Sequence, residues 1–451
     1  MSSPRIILLE FNELSPVLLR EFMDAGQLPN FRRFYLESTV FTTDAHAEGQ
    51  FLEPWVQWPT VHSGLGYAEH GVVKLGEGRR IATPSVAALA AAANIGVGVF
   101  GSMNQNYDAL PGFVVPDPWD PVGKTHPAFL QPFFDTVAGQ VQESAKHGSS
   151  SPTDFAKLGW FLLRHGLSAT TARMAVAQLA AERRDPGVKW RRGMLLDSIQ
   201  YDVFRWLCRR MDIGFATFFS NSTAHLMHYF WRDMTPEAFD VKPPVENHPS
   251  LRASVLDGYK AMDALIGRFE RDFRETRFVF VTALSQQPWT DTVKCTFRPI
   301  NFGAFLRFAG IDTAKVEVKP VMAEQFRIVS DSPAVLEDAE TELRAMRVGD
   351  DALMAIRRED DALFVGCAVT DPSYLSRSVT HNGESRRFDA LLHMVGTMRS
   401  GKHHPDGCLW VRSGTHRVFE EKVPLERVAP TVLSQLGVPV PEFMKGEPLP
   451  L

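Results

Sequence analysis

Four short segments of this chain carry side chains that could hold a cation or move a proton. In FFSNSTAHLMHYFW, His225 and His228 follow an apolar run, and their three-residue spacing sets both rings near one face of a helix. In SGKHHPDGCLWVRSG, His403 and His404 stand in a turn bounded by glycine and proline, just ahead of a strand-like run. Imidazoles in such places become metal ligands when a third group joins them from elsewhere in the chain. By themselves they read equally as a polar helix face and a solvated turn. In LLEFNELSP, the polar cluster Glu10, Asn12 and Glu13 closes an apolar run. Open α/β sheets bind ligands at the carboxyl ends of their strands, although Asn12 and Ser15 would also serve as helix caps. The fourth segment, EPWVQWPTVHSGLGYAEHGV, crowds two tryptophans, two prolines and three glycines together, the composition of an irregular functional loop. Thr60, His62 and Ser63 could supply a nucleophile and a base there. Packing of the aromatic rings is the competing account.

The elements that must position these groups follow from hydrophobic periodicity. Arg5–Phe11 is a short apolar run rich in isoleucine and leucine, which suits a strand buried on both faces. Ser15–Phe34 has helical spacing broken by Gly26 and Pro29. Further apolar strands are expected at Val97–Phe100, Gly214–Phe219 and Phe278–Val281, each after a helix-like segment: Ser85–Asn94, Leu195–Arg210 and Ser254–Arg271. This alternation predicts an α/β fold, a mostly parallel sheet sandwiched by helices. Two stretches depart from it. Residues 123–210 read as a helical insertion, a lid or a dimer contact, with SSSPTD as a helix start and ERRDPG as a stop. Residues 311–376 read as a small α+β insertion: EQFRIVS, then PAVLEDAETELRAM, then a hairpin of ALMAIRRE and ALFVGCAV. The core is then 1–122, 211–310 and 377–451.

Composition narrows the function classes. Across 451 residues, 48 basic side chains face 53 acidic ones, a net charge of -5, which argues against a nucleic-acid partner. Four dispersed cysteines form no CxxC pair, so neither a disulfide framework nor a cysteine zinc site is expected. The opening residues lack the form of a signal peptide. Ala87–Phe100, the longest apolar stretch, falls short of the roughly 20 residues of a membrane helix. A cytoplasmic protein with no membrane span is expected, and a homo-oligomer is left open.

Several segments occur in a telling order: SPVLLREFMDAGQLPNFRRF, SGLGYAEHGV, GVFGSMNQNYDALPGFVVPDPWDP, YKAMDALIGRFE, HHPDGCLWVRSG and VPLERVAPTVLSQLGVPVPEFMKGEPL. In that order they resemble the alkaline phosphatase superfamily, specifically its type I phosphodiesterase/nucleotide pyrophosphatase-like branch. The C-terminal segment is the most specific match. The resemblance implies an alkaline-phosphatase-like sheet and a site in which an early Asp, an Asp-x-x-x-His pair, an Asp-His pair and a late His hold two divalent metals around a Ser or Thr nucleophile. Carried over, Asn12 falls at the early Asp, Asn221 and His225 at the second pair, Ser285 and Gln286 at the third, and His403 at the late His. The nucleophile position lands beside Pro54 and Glu53.

With so few anionic ligands the two-metal mechanism is not expected. At most one divalent metal, zinc if any, would be held by Asn221, His225 and His403. The leading reading is an enzyme of hydrolase or transferase type acting on a phosphate or sulfate ester or a related small anionic substrate. Glu10 or Glu53 would be base or nucleophile, Asn12 an oxyanion donor, Thr60 a nucleophile on a shifted loop and His228 a proton-transfer group. The alternative is a non-catalytic descendant that binds a ligand or partner.

Overall fold

An apolar side chain at nearly every position from Ile6 to Phe11 demands cover on both sides of the strand. The computed structural model, which describes residues 4–107, 110–144, 152–245, 247–321, 325–359, 361–395 and 398–451, provides it. The strands that frame the site are, in chain order, Ile6–Phe11 (β1), Ser38–Asp44 (β2), Val97–Phe100 (β3), Gly112–Val115 (β4), Phe215–Ser220 (β5), Arg277–Val281 (β6), Ser285–Pro288 (β7), Gly401–His404 (β8) and Asp406–Arg412 (β9). β1 lies in a nine-stranded sheet with β5 and β6 as parallel neighbours; β3 and β4 continue beyond β5. On the other side β9 runs antiparallel between β6 and β2, and two short strands pair parallel to β2. The sheet is thus mostly parallel, as the alternation of strands and helices predicts.

Helices cover both faces: Pro16–Asp24 (α1), Pro29–Leu36 (α2), Pro54–Ser63 (α3), Tyr67–His70 (α4), Val86–Ala92 (α5), Gln131–Ser144 (α6), Pro152–Arg164 (α7), Ala169–Arg184 (α8), Arg192–Arg210 (α9), Ser222–Met234 (α10) and Ser254–Asp272 (α11). Ile7, Leu9 and Phe11 point into a phenylalanine-rich core shared with α1, α2, α9 and α11. Ile6 and Leu8 point into a second core built with α3, α5 and the helix Val428–Leu436. The break between α1 and α2 falls where the sequence places it. Gly26 adopts φ 70°, a backbone region open to glycine, and Pro29 starts the next helix with its fixed φ.

Helix α9, placed in the helical insertion by sequence, buries Tyr201, Phe204 and Leu207 in the main core. Ser149–Ser151, the start of SSSPTD, lie outside the described residues. The strands Glu317–Pro320, Phe326–Val329, Met354–Arg358 and Ala362–Cys367 form one antiparallel sheet that includes the expected hairpin. Together with helix Pro333–Ala345 it closes over a separate core that draws in residues from Cys295 to Leu392. Among the described residues no helix is long and apolar enough to cross a membrane, and none of the four cysteines is in a disulfide.

Two segments differ from their sequence reading. The loop expected over Glu53–Val72 is largely helix: Pro54 occupies the first turn of α3, where no N–H is needed, and Pro59 lies inside it. Pro59 cannot donate to the Trp55 carbonyl. Asn104 Nδ2 does so instead, at 2.7 Å. The turn expected at His403 and His404 is strand β8, paired antiparallel to β7 with His403 opposite Gln286 and His404 opposite Ser285. The pairing partner lies over a hundred residues upstream, beyond the reach of a local pattern.

Candidate metal centre

Past the end of β1 the chain turns sharply. Asn12 N–H still bonds the Ser220 carbonyl of β5 at 2.9 Å, but Glu13 adopts φ 60°. For a residue with a Cβ this left-handed conformation costs about 1–2 kcal/mol, a strain found where the surroundings fix a residue for function. The surroundings do fix it. Glu13 is buried, its Oε1 accepts from Asn12 Nδ2 at 2.7 Å, and its Oε2 accepts from Gln286 Nε2 of β7 at 2.5 Å.

Two imidazoles meet the same carboxylate. His228 Nε2, from α10, lies 3.0 Å from Glu13 Oε2, and His403 Nε2, from β8, lies 3.4 Å from it. The three ligand atoms all lie within 4.8 Å of one another. His228 Nδ1 faces the Gly401 carbonyl at 3.2 Å, and a carbonyl can only accept. Nδ1 therefore carries a proton, and Nε2 either holds a second one that it shares with the carboxylate or turns its lone pair toward it, an assignment drawn from the bonding pattern. Two such lone pairs at 3.0 Å call for a proton or a cation between them. His403 has a carboxylate on each side, since its Nδ1 lies 3.5 Å from Glu53 Oε2. Burial alone would raise Glu13 and lower His403. Instead His403 and His228 hold Glu13 well below the usual carboxylate range, and Glu13 and Glu53 raise His403.

This donor set fits a divalent cation of the zinc type. Two imidazoles and one carboxylate are donor types that such a cation takes. Glu13 Oε2 lies 3.0 and 3.4 Å from the two imidazole nitrogens, close enough for all three to serve one ion. Both histidines also have the outer partner that metal-bound imidazoles use, a backbone carbonyl for His228 and a carboxylate for His403. Gly401 permits the close approach of β8. A Cβ there would lie 2.3 Å from Gln286 Oε1 and 2.7 Å from the Met227 carbonyl.

The other candidates fall into distinct places. Asn12 bonds Glu13 and Asn221 Oδ1, both at 2.7 Å, while Trp58 Nε1 donates to Asn12 Oδ1 at 2.7 Å. Asn12 thus orients Glu13, and Asn221 is exposed, bonded to Asn12 but outside the set of three. His225 is exposed, with its ring 4.8 Å from that of Tyr229. Glu53 precedes α3 and is partly exposed at the edge of the cluster. Thr60 Oγ1 lies 3.2 Å from His70 Nε2, but His70 Nδ1 accepts the Val72 N–H, so His70 donates to Thr60 and takes no proton from it. Glu10 is fully buried on the α3 side of the sheet, with Oε1 3.6 Å from His62 Nε2.

Glu13 was visible in the sequence as part of the polar cluster after β1 but was assigned no role. Its signal is one of residue type, as the carboxylate beside Asn12. Because Asn12 is 2% exposed, losing the indole donor leaves a buried acceptor unpaired. Trp58→Phe is expected to cost at least about 1–3 kcal/mol, read as a lower urea midpoint.

No known family's sequence profile matches the chain, and no curated protein does. Among solved structures it is similar to an inactive variant of murine ectonucleotide pyrophosphatase/phosphodiesterase 5 in complex with AMP, at 8% identity over 97% of this chain and 96% of that one, with a TM-score of 0.43. It is also similar to the alkaline phosphatase PafA, at 11% identity over 100% and 99%, with a TM-score of 0.43. A phosphonate monoester hydrolase from Silicibacter pomeroyi gives 14% identity over 100% and 76%, with a TM-score of 0.42. All three belong to the alkaline phosphatase superfamily.

Proposed function

We propose that the chain is a divergent hydrolase of the alkaline phosphatase superfamily that acts on a phosphate or sulfate ester through a single divalent cation held by Glu13, His228 and His403. The observation that carries this reading is the convergence of those three ligand atoms beyond the carboxyl end of β1. A cation of this type supplies Lewis-acid polarisation of an ester oxygen or a bound water of lowered pKa.

The chain's own residues supply the rest. Glu53 Oε2, at the edge of the cluster, is placed to accept a proton and is oriented by His403 Nδ1. Asn221 accepts from Asn12 through Oδ1, which leaves its amide NH2 as a donor for an anionic oxygen. Asn12 Nδ2 donates to Glu13 and Asn221, and Gln286 Nε2 to Glu13 and the Ala224 carbonyl, so both amides hold the Glu13 carboxylate and keep no N–H for a substrate. The helix α3 opens with Glu53 and Pro54, so no hydroxyl stands at the position where the family carries its nucleophile. That favours attack by water with Glu53 as base. The same absence also favours the second reading, a ligand-binding descendant without turnover.

The two separate cleanly. Loading with zinc and elemental analysis is expected to give one zinc per chain, with zinc-dependent release of nitrophenol from at least one of nitrophenyl phosphate, bis(nitrophenyl) phosphate and nitrophenyl sulfate. Glu53→Gln should lower that rate by about 10²–10⁴-fold. Stoichiometric zinc with no turnover of any of the three would favour the binding descendant, and no retained zinc would defeat both forms of the one-metal site.

A further inference from the structure

Far from the Glu13 cluster in sequence, the pair α7 and α8 leaves its apolar side chains in water. Fifteen large apolar side chains are exposed among the described residues, and five of them lie between Trp160 and Leu179. Trp160 is 64% exposed, Leu163 68%, Val176 68% and Leu179 53%. A place in the core does not account for them, because each helix already packs by another face. Phe161 and Leu162 of α7 are buried in the main core, and the Phe161 ring stacks on Phe133 of α6. On α8, buried Thr171 meets Arg268, and Glu182 is bound by Arg192. The spacing Val176, Leu179, Arg183 then runs as a stripe along the outer side of α8, just as Trp160, Leu163 and Arg164 do on α7.

The charge on this region opposes that of the whole chain. From residue 156 to residue 192 there are eight lysines and arginines and only two acids, Glu182 and Asp185, in a protein of net charge -5. Both acids are already engaged, Glu182 by Arg192 and Asp185 by His248. Among the described residues Arg173, Arg183 and Arg184 have no ion pair, and the Arg164 guanidinium lies 5.7 Å over the exposed Trp160 ring.

We infer that the exposed apolar and basic stripes of α7 and α8 are docking surfaces for an anionic phospholipid membrane. Exposed Trp, Leu and Val between unpaired arginines are the composition of helices that lie in a lipid interface, with the apolar side chains among the acyl chains and the cations at the headgroups. A second copy of this chain would present the same positive face, and like charges would repel it. Valine and leucine in the stripe offer nothing to a nucleic acid, whereas they have a place in lipid. The inference is independent of any catalytic role, since it uses none of the residues of the Glu13 cluster.

Sedimentation of the full-length chain with phosphatidylcholine vesicles, with and without phosphatidylglycerol, tests this. Cosedimentation is expected only with the phosphatidylglycerol vesicles and should weaken as salt is raised. Val176→Glu with Leu179→Glu, and separately Arg173→Glu with Arg183→Glu, should each lower partitioning at least tenfold. All four positions are exposed, so both variants should keep the parent's melting temperature within a few degrees. The inference is overturned if anionic vesicles bring down no protein, if neither double variant reduces binding, or if vesicle-free protein forms a dimer that Val176→Glu with Leu179→Glu dissociates. That last result would make the face a contact between copies.

Discussion

Replacing Glu13 by glutamine is expected to weaken zinc binding by at least a hundredfold, while His225→Ala leaves it within about threefold. The contrast between the two is informative because the motif resemblance assigns the ligand role to His225, whereas the ligand atoms meet at Glu13, His228 and His403. Glutamine removes the only anionic donor among the three. It also brings a second fault: both Glu13 oxygens accept from amide N–H groups, Oε1 from Asn12 and Oε2 from Gln286. A glutamine at 13 must turn an NH2 toward one of those donors. The loss should therefore exceed the 10–100-fold typical of changes that only touch the partners of a ligand. Competition with a chromophoric chelator measures both variants. Equal zinc affinity in Glu13→Gln and the parent protein would remove Glu13 from the site, and a collapse of affinity in His225→Ala would restore the set implied by the family motif.

The second large effect is expected in the dependence of stability on pH, and it belongs to Glu10 and His62. Neither Glu10 oxygen nor His62 Nε2 has a hydrogen-bond partner among the described residues. Burial pushes Glu10 up from 4.5 to about 8 and His62 down from 6.5 to about 3, so both are neutral in the folded chain between those limits. Unfolding above pH 4.5 releases a proton from Glu10 and so becomes easier as pH rises toward 8. Unfolding below pH 6.5 takes up a proton at His62 and so becomes harder as pH rises from 3. Between pH 4.5 and 6.5 the two slopes oppose and cancel. From pH 6.5 to 8 the slope of Glu10 is no longer opposed by that of His62, and its own contribution should fall by about 1.4 kcal/mol per unit, or about 2 kcal/mol across the window. Asp117 and Asp197, which burial pushes up to about 7, act in the same direction below pH 7. Comparison with Glu10→Gln isolates the contribution of Glu10. The variant should lose that part of the decline in urea denaturation at pH 6.5 and pH 8, and a decline of unchanged size would show that Glu10 is already ionised in the fold.

What was legible in the sequence was whatever a local pattern records. β1, β3 and β6 are buried on both faces over nearly all their length, so their sequences are apolar but for Glu10 and the exposed Arg277, and α1 and α2 are separated by a glycine and a proline that no helix would carry there. Helix α3 was illegible because its prolines argue against it; it exists because one lies in the first turn and the carbonyl freed by the other is bonded by Asn104. His403 could be found by motif, but the strand that carries it could not, since β8 depends on pairing with β7. Alignment with the family puts Asn12 at the ligand position, whereas the left-handed turn at Glu13, a three-dimensional fact, brings the neighbouring carboxylate to His228 and His403.

The ligands of the proposed site, which meet around Glu13 Oε2, are scattered through the chain, the first before α1, the second on α10 and the third on β8. His403 is therefore made some 390 residues after Glu13, and between them the ribosome must deliver nearly all of the sheet. Long-range closures of this kind form late in folding. A growing chain has no pair of these ligands until His228 emerges and no complete set until β8 pairs with β7. Retention of the cation would then report that synthesis and folding had both run through to the last ligand, and truncated or misassembled chains would be marked by its absence.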